Sequence, residues 1–293
     1  MWPPPTPWHD DGRSLIFGAA LTPDDDFTPS ELRAVKKRIQ RNKAGGTDDL
    51  INEMILFLLC FSEGFTLIIS CVNQGWRSEK LPHEWDIAKV IALFKGGTEY
   101  DRASRYRPIS LLQAIYKIFT ALIDNRLRQG LVERLHPQQF GFLKGHRVDH
   151  AIFGLLRAVQ CAPNFQNLPL YILLLDWAKA YDTIKWDGLI SAMERLGTPA
   201  KFVRMIRVLY SDPRFFVSDR FGSSSLRQML QGLCQGDGLS ICVLSVIFYD
   251  AERAWRQAGA QLADRERVLQ AFGREVAKYA DDSNLFSCDP AAL

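Results

Sequence analysis

Apolar residues recur at helical spacing from Thr28 to Asn42 and again from about Leu50 to Gly75, and glycine and proline signals end each pattern. Thr28, Pro29 and Glu31 mark the first start as N-cap, first helical position and capping-box acid. The run Ile87-Ala88-Lys89-Val90-Ile91-Ala92-Leu93-Phe94 reads as a strand. A turn-rich, charged stretch follows, from Lys95-Gly96-Gly97 to Arg102 and Arg107, and Pro108 biases Arg107 to an extended backbone. Helical spacing returns from Ile109 to Leu127, with Arg126 and Arg128 near the end where cations suit the helix dipole. After the glycine-punctuated Gln139 to Arg147 come a helix from about Asp149 to Val159 and an apolar strand, Leu168 to Leu175. Leu189, Ile190, Met193 and Leu196 define a helix from Trp186 to Leu196, stopped by Gly197 and Pro199. Leu239 to Trp255 is a long apolar helix, and the charged Leu262 to Phe272 bridges to Glu275–Tyr279 and Ser283–Phe286, two strand-like runs joined as a hairpin. The pattern predicts a mixed α+β fold with helices packed on one face of a sheet.

Composition narrows the class. At 293 residues, 47% hydrophobic and 24% charged, the chain can bury a large core as one big domain or two or three subdomains. A net charge of +3 is too mild to argue for nucleic acid, so local clusters must do so. One cluster qualifies: Arg33, Lys36, Lys37, Arg38, Arg41 and Lys43 fall on the first predicted helix, as a phosphate-binding surface or as a solvated face. The six cysteines are scattered without a Cys-x-x-Cys, which indicates neither zinc nor a disulfide framework and suits a reducing, intracellular setting, nuclear or cytoplasmic. Ser62-Glu63-Gly64 interrupts the apolar stretch Met54 to Val72. A charge there would cost about 2.5 to 3.5 kcal/mol at mid-bilayer, so a buried helix pair and no membrane partner is expected. The N-terminus lacks the pattern of a signal peptide, and residues 1 to 26, rich in Pro and Asp, read as a poorly ordered lead-in.

Candidate chemistry gathers around carboxylates. Tyr279-Ala280-Asp281-Asp282 lies in the predicted hairpin turn, and Asp176 ends the apolar strand. Two adjacent carboxylates repel by about 4 kcal/mol at ~4 Å and an effective dielectric of about 20, so such a cluster calls for cations. If the segments are neighbouring strands, about 4.7 to 4.9 Å apart, Asp176 and Asp281 can share metals held ~3.5 to 4 Å from each other, a geometry that supports in-line phosphoryl transfer.

In order, these segments resemble the reverse transcriptase of non-LTR (LINE-type) retrotransposons over roughly residues 28 to 288. Lys43-Ala44-Gly45-Gly46-Thr47-Asp48 is similar to that family's Lys-Ala-Pro-Gly-Pro-Asp, and Tyr106-Arg107-Pro108-Ile109-Ser110-Leu111 to its Tyr-Arg-Pro-Ile-Ser-Leu. Gln139-Phe140-Gly141-Phe142 matches the Gln-x-Gly-Phe block. Asp176-Trp177-Ala178-Lys179-Ala180-Tyr181-Asp182 resembles motif A, Gln235-Gly236-Asp237-Gly238-Leu239-Ser240 motif B, and Tyr279 to Asp282 motif C.

The resemblance implies an RNA-directed DNA polymerase, a nucleotidyltransferase with the fingers and palm of a right-hand fold: fingers over 27–165, palm over 166–293, and 205–235 returning to the fingers. It implies Asp176, Asp281 and Asp282 as ligands of two Mg²⁺, with an RNA template, a DNA primer and a dNTP as partners. Lys95 and Arg107 would contact the triphosphate, Tyr181 would exclude a 2′-hydroxyl, and Gln235 and Gly236 would line the nucleotide pocket. The chain departs from motif B (Arg-Gln-Gly-x-Pro-Leu-Ser-Pro), with Cys234, Gly238 and Ile241 in place of the Arg and both prolines, which adds backbone freedom. It stops eleven residues after Asp282, ahead of the family's motif D and thumb. A fingers-and-palm core is therefore expected, active or as a silent nucleic-acid-binding remnant of a retroelement polyprotein; the oligomeric state is open.

Overall fold

The computed structural model describes residues 25–132, 147–161, 169–177, 179–257, 276–279 and 282–287, with Gly141 and Gly145 besides. Its elements in chain order are α1 (Pro29–Lys36), α2 (Asn52–Leu58), α3 (Ser62–Ser78), β1 (Ile87–Phe94), β2 (Tyr106–Leu111), α4 (Ala114–Val132) and α5 (Val148–Cys161). There follow β3 (Tyr171–Leu175), α6 (Ala180–Thr183), α7 (Trp186–Arg195), α8 (Ala200–Leu209), β4 (Arg214–Asp219), β5 (Gly222–Ser223), β6 (Arg227–Gln228), α9 (Gly238–Gln257), β7 (Val276–Tyr279) and β8 (Asp282–Ser287). The mixed α+β class expected from the sequence holds. The chain forms two compact units: the described residues of 16–130 and 181–244 make the larger, those of 131–180 and 245–293 the smaller.

In the larger unit α1 starts where the sequence marks it. Thr28 Oγ1 accepts the Glu31 amide at 3.3 Å, and Glu31 Oε2 accepts the Thr28 amide at 2.7 Å. Glu31 is also clamped by Arg126, Nε to Oε1 at 2.6 Å and Nη2 to Oε2 at 3.0 Å. Burial opposes the Glu31 carboxylate, but the Arg126 guanidinium and the Thr28 amide outweigh it and hold its pKa below the ordinary value. The same guanidinium donates to the carbonyls of Asp25 and Asp26, each at 2.8 Å, and lies 4.4 Å over the Phe27 ring. Asp25 and Asp26, within the expected lead-in, are thus held; residues 1–24 lie outside the described residues.

The helix expected to reach Asn42 ends at Lys36. Side chains of the next element draw the chain away: Asn52 Nδ2 donates to the Gln40 carbonyl at 2.7 Å and Glu53 Oε1 accepts the Asn42 amide at 2.6 Å, with Asn42 in the left-handed region at φ 58°. The basic cluster is therefore not one helix face. Lys36 Nζ donates to the Leu59 carbonyl at 2.9 Å, and Arg38 turns to Asp124 at 3.7 Å. Lys37, Arg41 and Lys43 are exposed.

The apolar run from Leu50 to Gly75 is two helices, bent by 111°. Gly64 allows the corner, because a methyl group there would overlap the Leu58 carbonyl. The pair is buried on one side only. Ile68, Val72 and Trp76 enter the core, whereas Met54, Phe57 and Phe61 are exposed. Among the described residues no single helix is long and apolar enough to cross a membrane. Trp76 anchors the core, 5.0 Å from Phe27 and 5.2 Å from Phe202, while Phe119 packs 6.2 Å from Phe27 and 5.6 Å from Trp85. Such ring pairs add about 0.5 to 1.5 kcal/mol each beyond their buried area.

β1 has the expected bounds, but the helix expected from Ile109 begins at Ala114. Pro108 supplies no amide for a helix, and Ile109 to Leu111 instead pair with β1 as the strand continues (Ile91↔Ile109, Lys89↔Leu111). The sheet runs β2-β1-β4-β5, with β6 on β4, and β1–β4 is parallel in the register Ile87↔Arg214. The smaller unit holds an antiparallel sheet, β3-β8-β7, with α5 packed on β7. Its β7–β8 hairpin is the one the sequence predicts, whereas the charged 262–272 bridge lies outside the described residues.

Ahead of α9, Asp237 is 4% exposed, and its Oδ1 accepts both the Leu239 amide at 3.2 Å and the Thr120 hydroxyl at 2.8 Å. Burial pushes this carboxyl up to about 6, from an ordinary 3.8, despite those two donors. Between those values the folded chain keeps a proton that the unfolded chain has released, so this group's contribution to stability falls as pH rises. Asp237→Asn keeps the Oδ1 acceptor without the buried charge. It should be more stable than the parent at pH 7 by up to about 3 kcal/mol, with the gap closing below about pH 4. Urea denaturation at both pH values checks this; an equal or reversed gap at pH 7 contradicts it.

Candidate active site

Lys95 and Arg107, 12 positions apart in sequence, meet on one hairpin. Arg107 pairs with Leu93, and the ladder continues one step as the Lys95 amide donates to the Arg105 carbonyl at 2.8 Å. Paired residues of an antiparallel ladder share a face, and so do residues two apart, so Lys95, Arg105 and Arg107 lie on the same face. Gly96 and Gly97, with φ of 93° and 101°, turn the chain beyond them, and Phe94 braces the turn against Tyr100 and Tyr106 at 5.0 and 5.2 Å. Glu99 engages Arg102 at 2.9 Å and Arg105 at 3.7 Å. Among the described residues Lys95 Nζ donates only to the Ser104 carbonyl, at 3.2 Å, and Arg107 has no side-chain partner. Both are exposed, so the face presents two cations not neutralised by a carboxylate.

Three of the motif segments, with Tyr181 and Asp182 from the end of motif A, assemble in the larger unit. Thr47, in the first, accepts from Gln113 Nε2 at 2.9 Å, and a methyl group on Gly46 would overlap the Leu112 backbone. The Ser110 amide, in β2, donates to the Gln235 carbonyl at 2.7 Å. Gly236, at φ 125°, presses so close that a Cβ would lie 2.7 Å from the Ser110 carbonyl oxygen. On the other side of this turn the Leu233 amide donates to the Tyr181 carbonyl at 2.8 Å and the Gly232 amide to the Ile184 carbonyl at 2.7 Å. Gln235 Nε2 donates to Asp182 Oδ1 at 3.1 Å. Tyr181, Gln235 and Gly236 are thus brought to one place by backbone bonds between β2, α6 and the turn ahead of α9.

Where motif B has its arginine, Cys234 is 8% exposed, and burial, with Asp237 adding to it, pushes the thiol up to about 12. That thiol stays neutral, and the turn rests on hydrogen bonds rather than on a cation. The sequence reading missed Ser110, Thr120, Asp182 and Asp237 as structural partners of the turn. Ser110, Asp182 and Asp237 lie in motif segments and Thr120 in the helix expected after Pro108, but spacing does not reveal a partner 50 or more residues away.

Asp176 and the backbone of Asp282 belong to the smaller unit. Asp176 follows β3 directly and is exposed. The register Leu175↔Ser283, extended by one residue, sets position 282 opposite Asp176, and Tyr279↔Asp282 closes the hairpin. Asp281 lies outside the described residues, as does the side chain of Asp282. Trp177 packs on Phe248 at 5.1 Å beside this strand end. Among the described residues no group of three His, Cys, Asp or Glu side chains could hold a metal ion. Most of the Gln139–Phe142 block likewise lies outside them.

The family model of reverse transcriptase (RNA-dependent DNA polymerase) matches residues 95–293. Similar curated proteins include a probable RNA-directed DNA polymerase from transposon BS of Drosophila melanogaster, 29% identical over 89% of this chain and 28% of that protein. The RNA-directed DNA polymerase from mobile element jockey of the same organism is 28% identical over 91% of this chain and 28% of its own length. The chain thus spans little more than a quarter of these relatives. An apo telomerase from Candida tropicalis superposes with a TM-score of 0.43 at 11% identity, covering 81% of this chain and 56% of that one.

Gly236→Ala tests the turn. It forces a Cβ into the Ser110 carbonyl at a positive φ and should cost about 3 kcal/mol in urea denaturation. Gly238→Ala, where nothing lies within 4 Å, should change stability by no more than about 0.5 kcal/mol.

Proposed function

This chain belongs to the reverse transcriptase (RNA-dependent DNA polymerase) family, as its motif segments led one to expect, and we propose that it is the fingers-and-palm part of an RNA-directed DNA polymerase. The observation that carries the reading is the joining of the β2, α6 and pre-α9 segments through Ser110–Gln235, Leu233–Tyr181 and Gln235–Asp182. A nucleotide pocket needs such a rigid wall, and only Gly fits at position 236. In this reading the larger unit supplies the fingers and the antiparallel β3-β8-β7 sheet the palm.

Lys95 and Arg107 bind the triphosphate of the incoming dNTP: Arg offers a planar fork to two phosphate oxygens, Lys a point charge. Tyr181 lies under the sugar and excludes a 2′-hydroxyl by bulk. Gln235 and Gly236 border the base pair formed with an RNA template, and the reaction extends a DNA primer. Asp176, Asp281 and Asp282 are hard carboxylate donors, which suits a hard divalent cation, and positions 176 and 282 face each other at the ends of β3 and β8; the three would hold two Mg²⁺. When bound, the ions would lower the pKa of the primer 3′-hydroxyl and offset charge on the departing pyrophosphate. The protein would act inside the cell, in nucleus or cytoplasm.

Primer extension on RNA and DNA templates with Mg²⁺ tests the reading. The parent should add nucleotides, and Asp176→Asn or Asp281→Asn should abolish addition, because each removes an anionic ligand while keeping shape. Asp282→Asn should leave a trace. An Asp281→Asn variant that extends as well as the parent overturns the metal assignment, and a parent that binds primer-template without extending it overturns the enzymatic one.

The sugar gate makes a separate demand. Tyr181→Ala should narrow the preference for dNTP over rNTP by tenfold or more, read as the ratio of kcat/KM values. An unchanged ratio removes Tyr181 from that role.

A further inference from the structure

Gln235 has two chemically distinct ends, and the structure decides which one faces outward. Its Nε2 donates to Asp182 Oδ1 at 3.1 Å. A carboxylate can only accept, so this contact fixes the amide: turned over, two oxygens would face each other. Among the described residues Gln235 Oε1 accepts no hydrogen bond, and Gln235 is only part-buried. Asp182 is itself tightly held. Its backbone carbonyl accepts from Gln231 Nε2 at 3.2 Å, and a Cβ on Gly232 would meet that carbonyl at 3.1 Å. Trp186 Nε1 donates to the Gly232 carbonyl at 2.8 Å, closing the other side of the loop.

Resting on the polymerase reading above, we propose that Asp182 is a positioning residue that makes Gln235 present its carbonyl oxygen to the incoming nucleotide. The pocket then offers an acceptor at this point and selects a donor, a hydroxyl or amino group of the nucleotide. Asp182 touches no substrate and acts through Gln235 alone. Neither the motif spacing nor the family pattern assigns this role, since the contact joins motif A to motif B across 53 positions.

A reversal of hydrogen-bond polarity tests it. Asp182→Asn lets the Gln235 amide turn over and should raise the dNTP KM about tenfold with little change in kcat. Gln235→Glu sets two carboxylates together and should raise it at least as much. In the double variant D182N/Q235E the amide at 182 donates, the carboxylate at 235 accepts, an oxygen again faces outward and the net charge is that of the parent. Its KM should return to within about threefold of the parent. A single Asp182→Asn variant equal to the parent, or a double variant no better than the two changes combined, overturns the proposal. Urea denaturation of all four proteins separates this from a general loss of folding: a KM rise that follows loss of stability, and is not rescued by the swap, counts against it.

The side-chain amide NMR signal of Gln235 reads the contact without any turnover. One Nε2 proton should be shifted downfield in the parent and not in Asp182→Ala. No such difference overturns the orientation, whereas the difference seen in a parent that neither binds nor incorporates dNTP overturns the polymerase reading, and with it the nucleotide-facing role.

Discussion

The 2.7 Å bond from the Ser110 amide to the Gln235 carbonyl is the contact on which the candidate pocket depends. β2 is paired with β1 along one edge only, and a strand edge leaves amides that must find partners. The turn ahead of α9 covers that edge at Ser110, a residue only 7% exposed, and the approach is close enough to demand glycine at 236. Once the turn is fixed there, its other flank meets α6 through Leu233 and Tyr181, and the Gln235 side chain has Asp182 within reach. One backbone contact thereby sets the positions of residues from three distant segments.

α4 is the post around which this is built. Its Thr120 ties down Asp237 at the start of α9, and its Arg126 ties down Glu31 and the carbonyls ahead of α1. Asp124, 1% exposed at its side chain, takes Arg128 at 2.9 Å and Arg38 at 3.7 Å. Burial raises the Asp124 carboxyl, and the two guanidiniums only partly offset it. Buried charges of this kind add little net stability, but leaving one unpaired is costly, so they penalise alternative packings. A helix that is polar on several buried faces specifies its neighbours more sharply than an apolar one would. The anchoring extends to both the α1 start and the pre-α9 turn.

What could be read in the sequence was local. The capping box at Thr28 and Glu31, the strand Ile87–Phe94 and the β7–β8 hairpin are all set by neighbours within a few residues, and each appears where the pattern put it. Boundaries failed where a distant group intervened. α1 stops short because Asn52 and Glu53 capture the backbone of Gln40 and Asn42, and Ile109 leaves the helical pattern because β1 pairs with it. The parallel β1–β4 pairing has no local signal, whereas α8, with Phe202, Val203, Ile206 and Leu209 buried at helical spacing, carried one that the sequence reading passed over. For the site, the family resemblance named Lys95, Arg107, Tyr181, Gln235 and Gly236 but not Asp182 and Ser110, which hold two of them.

The distribution of charge on the hairpin follows from the same economy of partners. Four cations crowd its end, and of its two acids, Glu99 and Asp101, Glu99 alone makes an ion pair among the described residues. It engages Arg102 and Arg105, which shape the turn, and leaves Lys95 and Arg107 without a carboxylate. Had Glu99 paired with Arg107 instead, the exposed guanidinium on this face would be neutralised. An exposed ion pair is worth at most about 1 kcal/mol, so folding gains little from neutralising Arg107. An unpaired guanidinium on a braced strand costs the fold almost nothing and keeps its full attraction for phosphate. Stability therefore makes no demand that would neutralise this hairpin, whereas at Gly236 the close approach to Ser110 leaves the fold no choice of residue.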